Sequence, residues 1–213
     1  MHSGNMVGLR SDTRRNLRSL IKAAGELARE DPSKLSIPNI AERAQIGSAT
    51  AYRYYSTVDH ILAAYVAGVV DELREFTTGS ASEGRDLFLA TLRRWMQLLD
   101  EHGAAIIQLR SRRGFLERLD DGELVISALV EAWQRPVMEL MDHLGIDHDQ
   151  LKYAMFLLNI MFDAREIEDL RARSGFDDDR IVNLLASTYI AALDQWGSHR
   201  DNASPAPEAH VDG

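Results

Sequence analysis

The sequence predicts an all-α fold. Three observations carry that expectation. Apolar residues recur at helical spacing over most of the chain, and no segment sustains the period-2 alternation of a half-buried strand. Glycine and proline, 14 and 5 among 213 residues, are sparse inside the long periodic stretches. With 45% apolar residues the chain can bury a sizeable core in one or two domains. It has no apolar run of the roughly 18 residues that a membrane span needs. Its start, MHSGNMVGLR, lacks the apolar stretch of a secretory signal, so a cytoplasmic location is expected. Cysteine is absent, which excludes disulfides, thiolate catalysis and cysteine-built zinc sites.

Taken in order, residues 1–12 read as a polar, disordered start. A first helix follows from about Thr13 to Glu30, with Leu17, Leu20, Ile21, Ala24, Leu27 and Ala28 on one face. Asp31-Pro32 ends it, because the residue before proline is pushed out of the helical region. Ser36 is placed as an N-cap with Pro38 in the first turn of a short helix over 37–44. Gln45-Ile46-Gly47 reads as a turn, and 48–55 as a second short helix. Thr57 can cap a long fourth helix to about Phe76, with Ile61, Leu62, Tyr65, Val66, Val69, Val70 and Leu73 inward. The Gly/Ser/Thr-rich stretch 77–84 is a loop.

Further helices are expected at 85–101, 104–113, 122–144, 148–173 and 178–197, about nine in all, with Asp147 and Asp177 as caps. Pro136 falls inside one of them and predicts a kink. Residues 199–213, rich in Pro, Ala and Asp, read as a disordered tail. The domains expected are a first over 13–62 and a second over 63–198, bridged by helix four.

The net charge of −9 hides an asymmetry. Residues 1–62 hold nine Arg and Lys against six Asp and Glu, a balance of +3. The remainder holds 15 against 27, a balance of −12. A basic head on an acidic body is what a protein needs to meet a polyanion with one end only, although solvated helix faces give the same count.

Residue types in the second short helix sharpen this. Ser48 and Thr50 offer short polar groups to base edges. Arg53 offers a fork for guanine or phosphate, and Tyr52 and Tyr54 carry phenols that can reach phosphates. Two short helices around a three-residue turn, the second carrying these groups, form a helix-turn-helix.

The run Ser36-Ile37-Pro38-Asn39-Ile40-Ala41-Glu42-Arg43-Ala44-Gln45-Ile46-Gly47-Ser48-Ala49-Thr50-Ala51-Tyr52-Arg53-Tyr54-Tyr55 resembles the DNA-binding signature of TetR-family regulators, over roughly residues 14–62. The resemblance implies an N-terminal three-helix DNA-binding domain and a helical-bundle domain that binds an effector and dimerises. It also implies a palindromic double-stranded operator, a homodimer through the last two helices, and a repressor released by a small molecule. No cofactor, metal or membrane partner is implied.

By resemblance and chemistry, Ser36 contacts phosphate, and Arg14 and Arg15 reach the DNA backbone or minor groove or are simply solvated. Tyr55 is core. Three positions depart from the pattern. Gln45 stands for the usual Gly, Gly47 for the usual capping Ser, and Val58 for the usual Lys.

In the second domain, Trp95, Leu99, Trp133, Val137, Met155 and Phe162 are large apolar candidates for a ligand pocket, with Asn159 as a polar anchor. Each is equally at home in a core, and Asn159 in a dimer seam. The seam expected from these helices presents Leu151, Met155, Leu158, Phe162, Ile181, Leu184, Leu185, Tyr189 and Trp196. Arg110, Arg112 and Arg113 either meet an anionic effector or salt-bridge. Asp142, His143, Asp147, His148 and Asp149 lack metal-motif spacing. No phosphate loop, HExxH or nucleophile elbow is present, so no enzyme activity is expected.

Overall fold

A computed structural model describes residues 4–109, 111 and 113–201. Among them lie ten α-helices: α1 (Gly4–Glu30), α2 (Ile37–Arg43), α3 (Ser48–Tyr54), α4 (Val58–Gly79), α5 (Gly84–Gln108), α6 (Phe115–Asp120), α7 (Leu124–Leu144), α8 (Leu151–Met161), α9 (Ala164–Ser174) and α10 (Asp178–Asp201). Two 3-10 turns, Pro32–Lys34 and His148–Gln150, fall between them.

Several boundaries differ from the sequence reading. Helix α1 begins at Gly4 rather than near Thr13, so the expected disordered start is helical over 4–12. No proline interrupts that stretch, and extending a formed helix adds one hydrogen bond per residue at small cost. Residues 1–3 lie outside the described residues. Helix α10 likewise continues to Asp201, and the rest of the expected tail, 202–213, lies outside them.

Gly103 does not break the chain into two helices. It is buried inside α5, whose packing outweighs the roughly 1 kcal/mol that one glycine costs a helix. The expected 148–173 helix is split, because the Asp163 carboxylate accepts from the backbone N–H groups of Arg165 (2.9 Å) and Glu166 (3.4 Å) and caps α9 afresh.

Two cores result. The head core gathers Leu20, Ala24, Ile40, Ala51 and Ile61 from α1 to α4. The body core centres on aromatic rings, with Phe88 stacked on Tyr189 at 5.2 Å and Trp133 on Phe162 at 6.2 Å. The buried Tyr189 hydroxyl donates to the Ala154 carbonyl at 3.0 Å. Tyr65 and Leu109 pack against both cores.

Helix α4 connects them, packing on α1 at one end and on α5 and α7 beyond. Its far end is anchored. The Arg135 guanidinium on α7 donates to the carbonyls of Thr77 (2.5 Å), Ser80 (3.3 Å) and Ser82 (3.3 Å). Arg135 also pairs with Glu139 at 2.7 Å, whose other oxygen accepts from the Gly84 N–H at 2.8 Å. Helix α7 runs continuously through Pro136. Proline leaves the Ala132 carbonyl without its helical donor, and the buried Thr77 hydroxyl, whose one proton also faces the Arg74 carbonyl at 2.9 Å, reaches it at 3.3 Å.

Candidate nucleic-acid interface and sensor cavity

The α2–α3 corner is set by backbone chemistry. The Gln45 N–H donates to the Glu42 carbonyl at 3.0 Å and the Ile46 N–H to the Ala41 carbonyl at 2.8 Å. This pair of bonds is a Schellman closure, which puts its turning residue in the left-handed region. That residue is Gln45, with φ of 57°, the one described non-glycine residue with positive φ. Ser36 Oγ caps α2 by accepting from the Asn39 N–H at 3.3 Å. Arg43 ties α2 to α1 through Glu30 (2.7 Å) and Glu26 (3.4 Å), and its hydrogen bond holds the Glu30 carboxyl below the usual range. Gly47 caps α3 with no side-chain bond.

Seated this way, α3 buries Ala51 and leaves Ser48, Ala49, Tyr52 and Arg53 exposed, Tyr52 at 54%, with Thr50 half-buried between. Ser36 is half-buried at the head of α2. Arg14 and Arg15 are exposed on α1, and Arg15 pairs with Asp12 at 3.0 Å.

Tyr54 differs from its sequence reading, since its hydroxyl has partners inside the protein. Hydrogen bonding to Thr13, then to Arg53 and Asn16, lowers its pKa, and Arg53 sits over its ring at 5.5 Å. The phenol therefore docks α3 on α1. Thr13 and Asn16 escaped the sequence reading, although their i,i+3 spacing places both on one face of α1. Tyr55 is half-buried, and burial pushes its phenol pKa up. Val58 is half-buried and packs against the head core.

The body holds a cavity of about 120 Å³. Trp95, Trp133, Asn159 and Phe162 line it. Leu99, Val137 and Met155 do not. They are at most 2% exposed and belong to the solid core, which has the same composition as a cavity wall. The sequence reading missed Val66 and Val70 of α4, Ile106 of α5, Leu129 of α7 and Arg118 of α6. The Arg118 fork grips Glu123, with Nε 2.8 Å from one oxygen and Nη2 on the other, and that bond lowers the Glu123 pKa. Arg113 pairs with Glu117 at 2.8 Å and with Asp121, while Arg110 and Arg112 lie outside the described residues. His148 bonds Asp142 at 2.8 Å, and among the described residues no three potential metal ligands converge.

The expected seam is corrected. Met155, Leu158, Phe162, Ile181 and Tyr189 are buried within the protomer. The apolar side chains that α8 and α10 leave exposed are Tyr153, Phe156 and Ile160, at i, i+3 and i+7 on one face, together with Leu184 and Trp196. No described helix is long and apolar enough to cross a membrane.

No family model matches the sequence, and no curated relative does. Solved structures do. A tetR-family transcriptional regulator from Streptomyces coelicolor superposes with a TM-score of 0.56 at 17% identity, over 89% of this chain and 84% of that one. A TetR transcriptional regulator from Rhodococcus sp. RHA1 superposes with a TM-score of 0.59 at 16% identity, over 85% and 97%. The helix-turn-helix head on its all-α body, matched along nearly the whole chain, is therefore the TetR-type fold.

Proposed function

We propose that the protein is a DNA-binding transcriptional regulator. In this reading it is a cytoplasmic repressor that holds a palindromic double-stranded operator as a homodimer and releases it when a small molecule enters the body cavity. The observation that carries the reading is α3. It buries one alanine and turns Ser48, Tyr52 and Arg53 outward from a corner that the Gln45 turn fixes. Ser48, Thr50 and Arg53 are assigned to base edges, and Tyr52 and Ser36 to phosphates. The exposed apolar faces of α8 and α10 supply a two-fold seam.

Helix α4 is the transmitting element. Its Val66 and Val70 line the cavity, and its first turn adjoins the recognition helix. Two heads reading one face of B-DNA must stand about 34–36 Å apart, or a multiple of that. A molecule that presses α4 aside changes that spacing. A preference of about 100-fold for the splayed state shifts the equilibrium by about 2.7 kcal/mol, and operator DNA must weaken ligand binding by the same factor.

Fluorescence anisotropy on duplex DNA tests the assignment. Arg53→Ala and Thr50→Ala are expected to weaken a selected site more than random duplex, by about 1–3 kcal/mol per good base contact. Tyr52→Phe is expected to weaken both alike, because phosphates carry no sequence. Equal losses on both DNAs for all three variants would refute the base-reading roles.

A further inference from the structure

We infer that the body cavity takes an uncharged, single-ring aromatic molecule bearing one hydrogen-bonding substituent, its ring against Trp95, Trp133 and Phe162 and its substituent on Asn159. This rests on the reading of the second domain as a sensor, and it names what is sensed.

Size comes first. A cavity of about 120 Å³ is close to the roughly 150 Å³ of an engineered apolar cavity that takes up benzene. It has room for one ring and a short substituent. Wall chemistry comes next. Trp95, Trp133 and Phe162 are at most 5% exposed, and aliphatic side chains from α4, α5, α7 and α8 complete the interior. Aromatic walls reward an aromatic guest through edge and offset contacts beyond simple area burial.

Charge is decided at the polar residues. Three line the cavity: Arg118, Asn159 and Asp163. The Arg118 fork is already closed on Glu123, so an anionic guest would have to displace an internal carboxylate. Asp163 is committed to the backbone N–H groups that open α9, and its charge repels a second anion. A cation would leave water for a largely apolar interior, and the one wall carboxylate that could meet it, Asp163, is exposed at the rim, with one oxygen already held by the α9 N–H groups. Asn159 alone remains, half-buried, its amide with no hydrogen-bond partner among the described residues. An amide both donates and accepts, so it suits a hydroxyl or carbonyl on an otherwise apolar ring.

The test is calorimetric titration of the full chain with a panel of one-ring probes: phenol, toluene, cyclohexanol, benzoate and benzylammonium. Phenol is expected to bind one per chain, at least tenfold tighter than benzoate, benzylammonium or cyclohexanol. Asn159→Leu is expected to weaken phenol about tenfold while leaving toluene within twofold, so retained toluene binding reports an intact fold. Val125→Trp, on the half-buried lip, is expected to abolish both. Benzoate or benzylammonium binding as tightly as phenol overturns the inference, as does phenol binding indifferent to Asn159→Leu, or no phenol binding at all. Duplex binding is measured separately on the unliganded chain. Loss of phenol binding with DNA binding intact rejects only the ligand class, and phenol binding without DNA binding rejects the regulator reading.

Discussion

The ring of Tyr65 on α4 occupies the space a side chain on Gly25 of α1 would fill, while its hydroxyl lies 2.8 Å from Nδ1 of His102 on α5. One tyrosine thus joins the head, the connecting helix and the body. A methyl group at Gly25 would overlap the ring, and the His102 contact restrains the ring from swinging away. Gly25→Ala is expected to destabilise the protein by about 1–3 kcal/mol, the usual range for overpacking. Adding Tyr65→Leu should recover part of that loss. Denaturant titration checks both, and an unchanged midpoint in Gly25→Ala would show that the contact yields freely.

Gln45 offers the opposite opportunity. Holding a side chain in the left-handed region costs about 1–2 kcal/mol. Glycine would remove that strain but add about 0.5–1 kcal/mol of unfolded-state freedom. Gln45→Gly is therefore expected to stabilise the head by about 0.5–1 kcal/mol, read as a rise in the denaturation midpoint. A fall would mean that the glutamine side chain contributes more than its backbone loses.

Thr77 and Pro136 are coupled through one carbonyl. Thr77→Val leaves the Ala132 oxygen buried and unpaired, at a cost of about 1–3 kcal/mol. Pro136→Ala returns a backbone N–H to that oxygen. In the Pro136→Ala background the cost of Thr77→Val should fall by about 1 kcal/mol, measured as a double-mutant cycle. Strict additivity would show that the hydroxyl acts elsewhere, through its 2.9 Å bond to the Arg74 carbonyl.

A charge on the exposed face of α8 separates seam from core. Ile160 is 50% exposed, so Ile160→Asp should leave the protomer folded. It is expected to convert a dimer to a monomer in scattering-coupled chromatography at micromolar concentration. A wild-type chain that is already monomeric there would remove the seam from the account.

Beyond the start of α1, the head was legible because its boundaries are written in residue type. Ser36 and Thr57 cap the helices they were expected to cap, and Asp31-Pro32 stops α1. The body was less so. Helix α8 is apolar on two faces, and periodicity alone does not say which one meets its own core. Periodicity therefore points to Met155 and Leu158 for the seam, whereas the exposed stripe runs through Tyr153, Phe156 and Ile160. Leu99, Val137 and Met155 lie off the wall of the described cavity for a related reason: core and cavity wall draw on the same side chains. The break before α9 did leave a trace, since Asp163 and Glu166 have capping-box spacing ahead of an apolar position.

In the proposed function, two copies of this chain read two half-sites on double-stranded DNA. Selection from a pool of random-sequence duplexes by the purified full-length protein, followed by sequencing, tests it most directly. The result expected is a two-fold palindrome whose half-site centres lie about one helical turn apart, 10–10.5 base pairs, or a multiple of it. A pool with no enriched sequence, or one enriched for a single asymmetric site, would contradict it.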